Sequence, residues 1–309
     1  MTTTDAVLVI DDLTKEYRTD IRKRRVRAVV GLSLEVGRGE LFGFVGPNGA
    51  GKTTTIRTAM GLIRPTHGRV SIFGHPAGSR AARERLGFLP EAPYFYDYLT
   101  ARELLDLVGR IFGLGAAERR ARAGELLERV GLADAADRPL RKYSKGMLQR
   151  AGLAQALMND PDLVVLDEPM SGLDPLGRKD VRDLMVELHE RGKTIFFSTH
   201  LLPDVEMLCD RVAVIHQGRL RDVGPVDRLL DETHAGTEVV LRAPQALALD
   251  GVTIERRAGE EMTVVLPIDA DVTAFLAGLA GKARVVTVTP RRASLEDWFV
   301  RLTRSEAQP

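Results

Sequence analysis

Gly46-Pro47-Asn48-Gly49-Ala50-Gly51-Lys52-Thr53 is the stretch whose reading decides the fold. It follows the apolar run Leu41-Phe42-Gly43-Phe44-Val45 and precedes Thr54-Thr55-Ile56-Arg57-Thr58-Ala59-Met60, so the order is strand, glycine-rich turn, helix. The spacing Gly-x4-Gly-Lys-Thr in that context is a phosphate-binding loop. Glycines let the backbone curl tightly and approach a ligand closely. The exposed N–H groups then gather at a helix N-terminus as an anion cradle. Lys52 can reach β- and γ-phosphates, and the Thr53 hydroxyl can ligate Mg²⁺. Nucleoside triphosphate binding is the first expectation.

The chain has 309 residues, 44% of them hydrophobic, enough for a sizeable core. At ordinary domain sizes that length suggests roughly two domains. A formal net charge of +1 gives no general attraction for nucleic acid, and no nucleic-acid partner is expected. One cysteine, Cys209, excludes an internal disulfide framework and fits a reducing compartment. Met1-Thr-Thr-Thr-Asp has no basic and apolar leader pattern. No apolar run reaches the ~18 residues of a membrane span. Any work at a membrane is therefore expected to be indirect.

Upstream of the loop, Val7–Ile10 and Val29–Val36 read as strands. Between them, residues 18 to 27 hold six basic side chains, from Arg18 through Arg22, Lys23, Arg24 and Arg25 to Arg27. Such a run suits a solvated hairpin or a contact with lipid head groups. Downstream, Gly61 suits the end of the loop helix and Pro65 stops it. Gly68–Gly74 reads as a strand, Arg80–Arg85 as a charged helix, and Leu86–Glu91 as a strand ending in a loop. Four of the fifteen Phe and Tyr residues fall at positions 94, 95, 96 and 98. That cluster is either a binding surface or packing under the next helix. Residues 100 to 130 show helical periodicity, and Leu148–Met158 is a helix stopped by Pro161.

Asp162-Leu-Val-Val-Leu-Asp167-Glu168 is a continuous apolar run ending in two acids. Such a run suits a central parallel strand buried on both faces, with acids at the end where α/β sheets place ligands. Leu176–Arg191 is helical, Thr194–Ser198 is a second buried strand with His200 just past it, and Arg211–Leu220 suggests a hairpin. Near Glu232 the pattern changes. Short strands at 237–242, 252–257, 261–266 and 284–289, with helices at Asp269–Ala280 and Ser294–Thr303, suggest a small α+β domain without a catalytic constellation.

The order phosphate loop, helical insertion, Ser144-x-Gly146, Leu163-Val-Val-Leu-Asp167-Glu168, Ser171-Gly-Leu-Asp174, Ser198-Thr-His200 resembles that of the ATP-binding-cassette (ABC) ATPases, most of all the ATP-binding subunits of ABC-2-type exporters. The resemblance spans roughly residues 7–232. It implies an α/β P-loop NTPase domain over 5–232, with a mixed sheet core, an antiparallel β subdomain and a helical subdomain at about 92–160. A small C-terminal α+β domain would fill 233–305. It also implies roles. Tyr17 would stack on adenine. Gly46, Pro47, Asn48, Gly49, Ala50, Gly51, Lys52, Thr53 and Thr54 would hold the phosphates of ATP. Thr53, Asp167 and Glu91 would organise Mg²⁺. Glu168 would be the general base, with His200 holding it and the γ-phosphate in line. Ser144 and Gly146 would close on ATP held by a second copy, and Asp174 belongs to the loop coupling the two.

Three departures stand out. Glu91 occupies the place of the usual glutamine, Lys145 and Met147 replace a glycine and a glutamine, and Met170 replaces a threonine. The expected function is ATP hydrolysis driving export. Partners would be a homodimer mate and a separate transmembrane permease, at the cytoplasmic face of the cell membrane. A soluble cassette ATPase acting on ribosome or DNA is the alternative, disfavoured by the single cassette and the absence of a strongly basic face. A phosphoryl-transferring kinase leaves Ser144-x-Gly146 and His200 unexplained.

Overall fold

The computed structural model describes residues 5–18, 25–231, 236–243, 252–267, 269–290 and 294–299. The chain opens with β1 (Ala6–Arg18) and β2 (Arg25–Gly37), an antiparallel pair, followed by β3 (Leu41–Val45). The two long strands swallow the flanks of the basic run: Arg25 and Arg27 lie on β2 and pair with Glu16 at 3.5 and 2.9 Å. Residues 19–24 fall outside the described residues. The loop helix α1 (Lys52–Ala59) ends at Met60, and Gly61 follows in the left-handed conformation at φ 68°. Next come β4 (His67–Ile72), β5 (His75–Pro76), α2 (Arg80–Glu84) and β6 (Leu86–Leu89). Strands β2, β1, β4 and β5, in that order, form an antiparallel sheet.

The helical stretch is two helices, α3 (Ala101–Ile111) and α4 (Ala116–Arg129), because Gly113 takes a left-handed turn at φ 77° between them. Thr100 starts α3 with a full capping box: its hydroxyl accepts from Glu103 N, while the Glu103 carboxylate accepts from Thr100 N. That arrangement satisfies two otherwise orphaned donors. The next helix, α5 (Lys145–Ala156), begins three residues before the expected Leu148, because Ser144 caps it by accepting from Met147 N.

The remaining elements of this region are β7 (Leu163–Asp167), α6 (Pro175–Glu190), β8 (Thr194–Thr199), α7 (Leu202–Leu208), β9 (Arg211–His216) and β10 (Arg219–Pro225). The seven-residue α7 had no apolar period long enough to be read from sequence. The main sheet runs β10-β9-β3-β8-β7-β6, parallel except for the β9–β10 hairpin. All residues of β3, β7 and β8 are buried, as continuous apolar runs between two covered faces require. Phe42 and Phe196 stack at 5.8 Å between ring centroids in this core.

The chain's contacts divide it into Met1–Val226 and Asp227–Pro309; the expected division was at 232/233. Around that point lies α8 (Val226–Asp231). The second unit carries β11 (Thr237–Arg242), β12 (Thr253–Ala258), β13 (Glu261–Leu266), α9 (Val272–Gly278) and β14 (Arg284–Pro290). Its sheet is antiparallel, ordered β12-β13-β11-β14. The first of the two expected helices is shorter than read, since Asp271 caps α9 by accepting from Ala274 N. Of the second, residues 295–299 are helical and 300–303 fall outside the described residues.

Candidate functional site

The loop after β3 works because two glycines leave room for backbone. A Cβ on Gly46 would sit 2.2 Å from the Ile215 carbonyl oxygen. Gly51, the N-cap of α1, stands at φ 110°, where a Cβ would also meet the Ala28 carbonyl at 2.6 Å. The chain therefore turns from strand to helix within a few residues and leaves the first N–H groups of α1 facing a hollow of about 260 Å³. Pro47, Asn48, Gly49, Gly51, Lys52, Thr53 and Thr54 line it, together with Glu91 and Glu168. Ala50 is buried behind it.

Asp167 and Glu168 arrive at the end of β7, and Ser198 and His200 at the end of β8. The parallel register sets Asp167 beside Ser198. Lys52 is 6% exposed. Its ammonium donates to the Gly46 carbonyl at 2.6 Å and lies 3.2 Å from Glu168 Oε1. That contact is an ion pair without hydrogen-bond alignment, so Glu168 Oε1 is buried with no hydrogen bond. The other oxygen, Oε2, is 2.9 Å from His200 Nδ1. Thr53 Oγ1 donates to Asp167 Oδ1 at 3.4 Å, and Ser198 Oγ donates to the same oxygen at 2.7 Å. Burial pushes the Asp167 carboxyl above its ordinary pKa; the hydrogen bonds from Ser198 and Thr53 oppose that, and the charges of Glu91 and Glu168 reinforce it. Glu168 itself stands at φ 51°, a left-handed backbone that a non-glycine residue keeps only when its surroundings over-determine it.

The expected residues thus fall into two groups. The loop, Lys52, Thr53, Asp167, Glu168 and His200 form one connected cluster, with Glu91 exposed at the rim of its hollow. Tyr17, Ser144, Gly146 and Asp174 do not line that hollow. Tyr17 is 40% exposed, with Lys15 Nζ 5.1 Å from its ring centroid. Ser144 caps α5, and Asp174 caps α6 by accepting from Gly177 N at 2.8 Å. Among the departures, Met170 is 4% exposed and packs as an apolar core residue. Lys145 folds against Gly172, where a Cβ would meet its side chain at 2.7 Å.

Two residues at the cluster were not anticipated. In the sequence Ser198 reads as the end of the Thr194–Ser198 strand and as part of the Ser198-Thr-His200 motif, with no role of its own. Gln149, 2% exposed, donates from Nε2 to the Pro169 carbonyl at 3.1 Å and so ties α5 to the chain just after Glu168. A polar residue closing a buried apolar strand was the available signal for Ser198; Gln149, flanked by half-buried Leu148 and Arg150, gave none. The aromatic cluster is divided: Tyr94 is 96% exposed and the exposed rings of Tyr96 and Tyr98 are tilted against each other at 5.8 Å, whereas Phe95 is half-buried against Gly152 of α5. A larger hollow, about 800 Å³, lies between α3 and α4. Three of its four arginines, Arg102, Arg110 and Arg119, are paired with Asp137 and Asp106, and no glycine-rich turn lines it.

Comparison with known proteins agrees with this geometry. Residues 29–171 match the model of a family described as ABC transporter. An uncharacterized ABC transporter ATP-binding protein of Synechocystis sp. is 45% identical over 297 residues, covering 95% of this chain and 83% of that protein. The daunorubicin resistance ATP-binding protein DrrA3 of Streptomyces coeruleorubidus is 37% identical over 319 residues, covering 97% and 96%. Among solved structures, a dimeric ATP-binding cassette in a post-hydrolysis state, bound to ADP and Pi, superposes with a TM-score of 0.66 at 26% identity, over 71% of this chain and 98% of that one. A cradle for phosphate, a buried acid pair and full-length similarity together place this chain in the family of ABC transporter ATP-binding proteins.

Proposed function

We propose that the chain is the ATP-binding and ATP-hydrolysing subunit of an ABC-2-type membrane exporter. The observation that carries the residue roles is the connected cluster in which Lys52, Glu168 and His200 form one chain of contacts and Thr53, Asp167 and Ser198 another. ATP phosphates belong in the cradle of the Gly46–Thr54 loop, where backbone N–H groups and the helix N-terminus favour negative charge. An arriving γ-phosphate offers Lys52 a stronger partner than the Gly46 carbonyl. As Lys52 turns to it, Glu168 Oε1 is released to accept a proton from the attacking water. His200, with its proton on Nδ1, donates to Oε2 and fixes the orientation of the carboxylate. General-base help of this kind contributes roughly 10²–10⁴-fold.

The residues also fit Mg²⁺. Thr53 Oγ1 and the Asp167 carboxylate are hard oxygen donors 3.4 Å apart, with Glu91 at the rim of the same hollow. Among the described residues no group of three or more His, Cys, Asp or Glu could hold a metal, which suits an ion that takes only one or two protein carboxylates beside phosphates and water. When bound, Mg²⁺ neutralises charge on the β- and γ-phosphates.

Ser144 and Gly146, at the exposed start of α5, suit contact with ATP held by a second copy in an isologous dimer. Closure on ATP and release after hydrolysis would supply the work. Among the described residues no helix is long and apolar enough to cross a membrane, so in this reading a separate permease holds the pore. The permease would dock near Glu91 and the Tyr94–Tyr98 loop, at the cytoplasmic face of the membrane. The second unit, 227–309, would be regulatory or dimer-stabilising.

The test is Glu168→Gln. It should retain ATP binding, lose turnover by about 10²–10⁴-fold, and accumulate as an ATP-dependent dimer by sizing chromatography with the permease present. Ser144→Arg in the same chain should block that dimer. Turnover near wild type would remove Glu168 as the base, and an inactive variant that binds ATP yet never dimerises would sink the composite site.

A further inference from the structure

We infer that Ser198 is a positioning residue of this site: its buried hydroxyl fixes the Asp167 carboxylate and the Glu168 main chain together, so that the metal-organising acid and the base are set by one side chain. The inference rests on the ATPase reading above. Ser198 is the penultimate residue of β8, 0% exposed, directly after the apolar run Ile195, Phe196 and Phe197. A hydroxyl in such a place is costly unless both its donor and its acceptor are used. Here both are. Ser198 Oγ donates to Asp167 Oδ1 at 2.7 Å and accepts from Glu168 N at 3.0 Å.

The second bond bears on the strained backbone. Glu168 N also lies 3.2 Å from the Ser198 carbonyl, and the Glu168 carbonyl accepts from Ser171 N at 3.0 Å. Ser198 therefore grips the Glu168 N–H with its main chain and its side chain, at the residue held at φ 51°. That conformation is what turns the Glu168 carboxylate towards Lys52 and His200. The first bond bears on the metal. Thr53 approaches Asp167 Oδ1 only at 3.4 Å, so Ser198 is the short bond that sets the carboxylate plane. Outer partners of metal-binding groups typically change metal affinity or activity by 10–100-fold.

Ser198→Ala, Ser198→Cys and Ser198→Thr in the full chain separate the hydroxyl from packing. Cysteine keeps similar bulk with a weak donor, and threonine keeps the hydroxyl. Binding of a fluorescent ATP analogue is measured in EDTA and across a Mg²⁺ titration, with turnover and melting temperature recorded beside it. The expected result is EDTA affinity within about twofold of wild type, and a Mg²⁺ half-saturation raised about 10–100-fold in the Ala and Cys variants. Threonine should restore it. Turnover at saturating Mg²⁺ should stay depressed at least about tenfold in Ala and Cys, because Glu168 remains misplaced. Wild-type half-saturation in Ala and Cys overturns the inference, as does an equal loss of affinity with and without Mg²⁺. Full recovery of turnover at saturating Mg²⁺ overturns its Glu168 half. Asp167→Asn is run in parallel. If it leaves the half-saturation unchanged, the metal reading itself fails; if it shifts while Ser198→Ala does not, only the role of Ser198 falls.

Discussion

The two units of the chain are both built on sheets, yet the sheets differ in a way that decides where chemistry resides. In the first, β3, β7 and β8 are buried at every residue. In the second, β13 alternates buried residues with exposed or half-buried ones, and β14 is exposed at all of its positions. A strand covered on both faces admits a polar side chain only where a partner satisfies it. Polar residues at the ends of such strands are therefore few and held by close partners, and the one buried carboxylate oxygen among them without a hydrogen bond, Glu168 Oε1, sits against the Lys52 ammonium. Among the described residues, every buried polar or charged one, from Lys52 to Asp204, belongs to the first unit. The second sheet buries Val239, Leu241, Met262, Val264 and Leu266 on one side and leaves its polar residues in water.

The strongest way to break this contrast is to empty one position in each sheet. Phe196 is 1% exposed and packs between Phe42 and Phe44, with ring centroids 5.8 and 5.6 Å away. Phe196→Ala should cost about 3–5 kcal/mol, the usual range for a large buried aromatic. Val288 on β14 is 40% exposed, and Val288→Ala should cost under about 1 kcal/mol by denaturant unfolding, within the range of surface changes and β-propensity. Comparable losses at the two positions would mean that β14 is covered in solution and that the contrast is false.

The same contrast explains what the sequence revealed. Continuous apolar runs announced β3, β7 and β8, and the Gly-rich turn and acid pair at their ends announced the phosphate cradle and its carboxylates. Glycine spacing reports directly on backbone room, which is why Gly46 and Gly51 were legible. The short helices α7 and α8 were not, since seven and six residues give too few turns for a period to emerge. Cap residues moved the starts of α5 and α9 from where apolar periodicity placed them. The roles of Ser198 and Gln149 are not legible in the sequence because they depend on partners 31 and 20 residues away. Met170 looked anomalous by motif alone; burial gives it an ordinary packing reason.

Gly46→Ala sharpens the contrast within the first unit. Its Cβ would lie 2.2 Å from a backbone carbonyl and 2.9 Å from Ile215 Cγ2, so β9 or the loop must shift. Overpacking of this kind costs about 1–3 kcal/mol, and nucleotide binding should weaken with it. Glycine 281, at φ 74° with open space around it, should by comparison affect stability only through backbone strain and leave nucleotide binding untouched when changed to alanine. Differential scanning calorimetry beside nucleotide titration checks both. Wild-type binding in Gly46→Ala would show that the loop does not depend on that close approach.

A smaller effect is expected from removing the second unit. A chain ending near Glu232 keeps the loop, both acids, His200 and every buried polar residue among those described. It should bind ATP with affinity close to the full chain. If the shortened chain gives a cooperative melt yet no longer binds ATP, the second unit contributes to the site and its proposed accessory role is wrong.

The least effect on the isolated subunit, and the most informative about coupling, is expected at the aromatic loop. Tyr94 and Tyr96 are 96% and 60% exposed, so truncating them removes little buried area and should change stability by no more than about 0.5 kcal/mol. Phe95 differs. A Cβ on Gly152 would lie 3.4 Å from its ring, so it rests against α5 and its loss should be felt by the fold. Tyr94→Ala with Tyr96→Ala is therefore the clean pair for the docking proposal, and Phe95→Ala is the packing control. Exposed aromatic clusters commonly anchor interfaces. If a permease helix seats here, the double variant should keep the basal ATPase of the isolated subunit while losing co-purification with the permease and transport. A double variant that loses basal ATPase ties the loop to the catalytic site instead, and one that transports normally places the docking surface elsewhere.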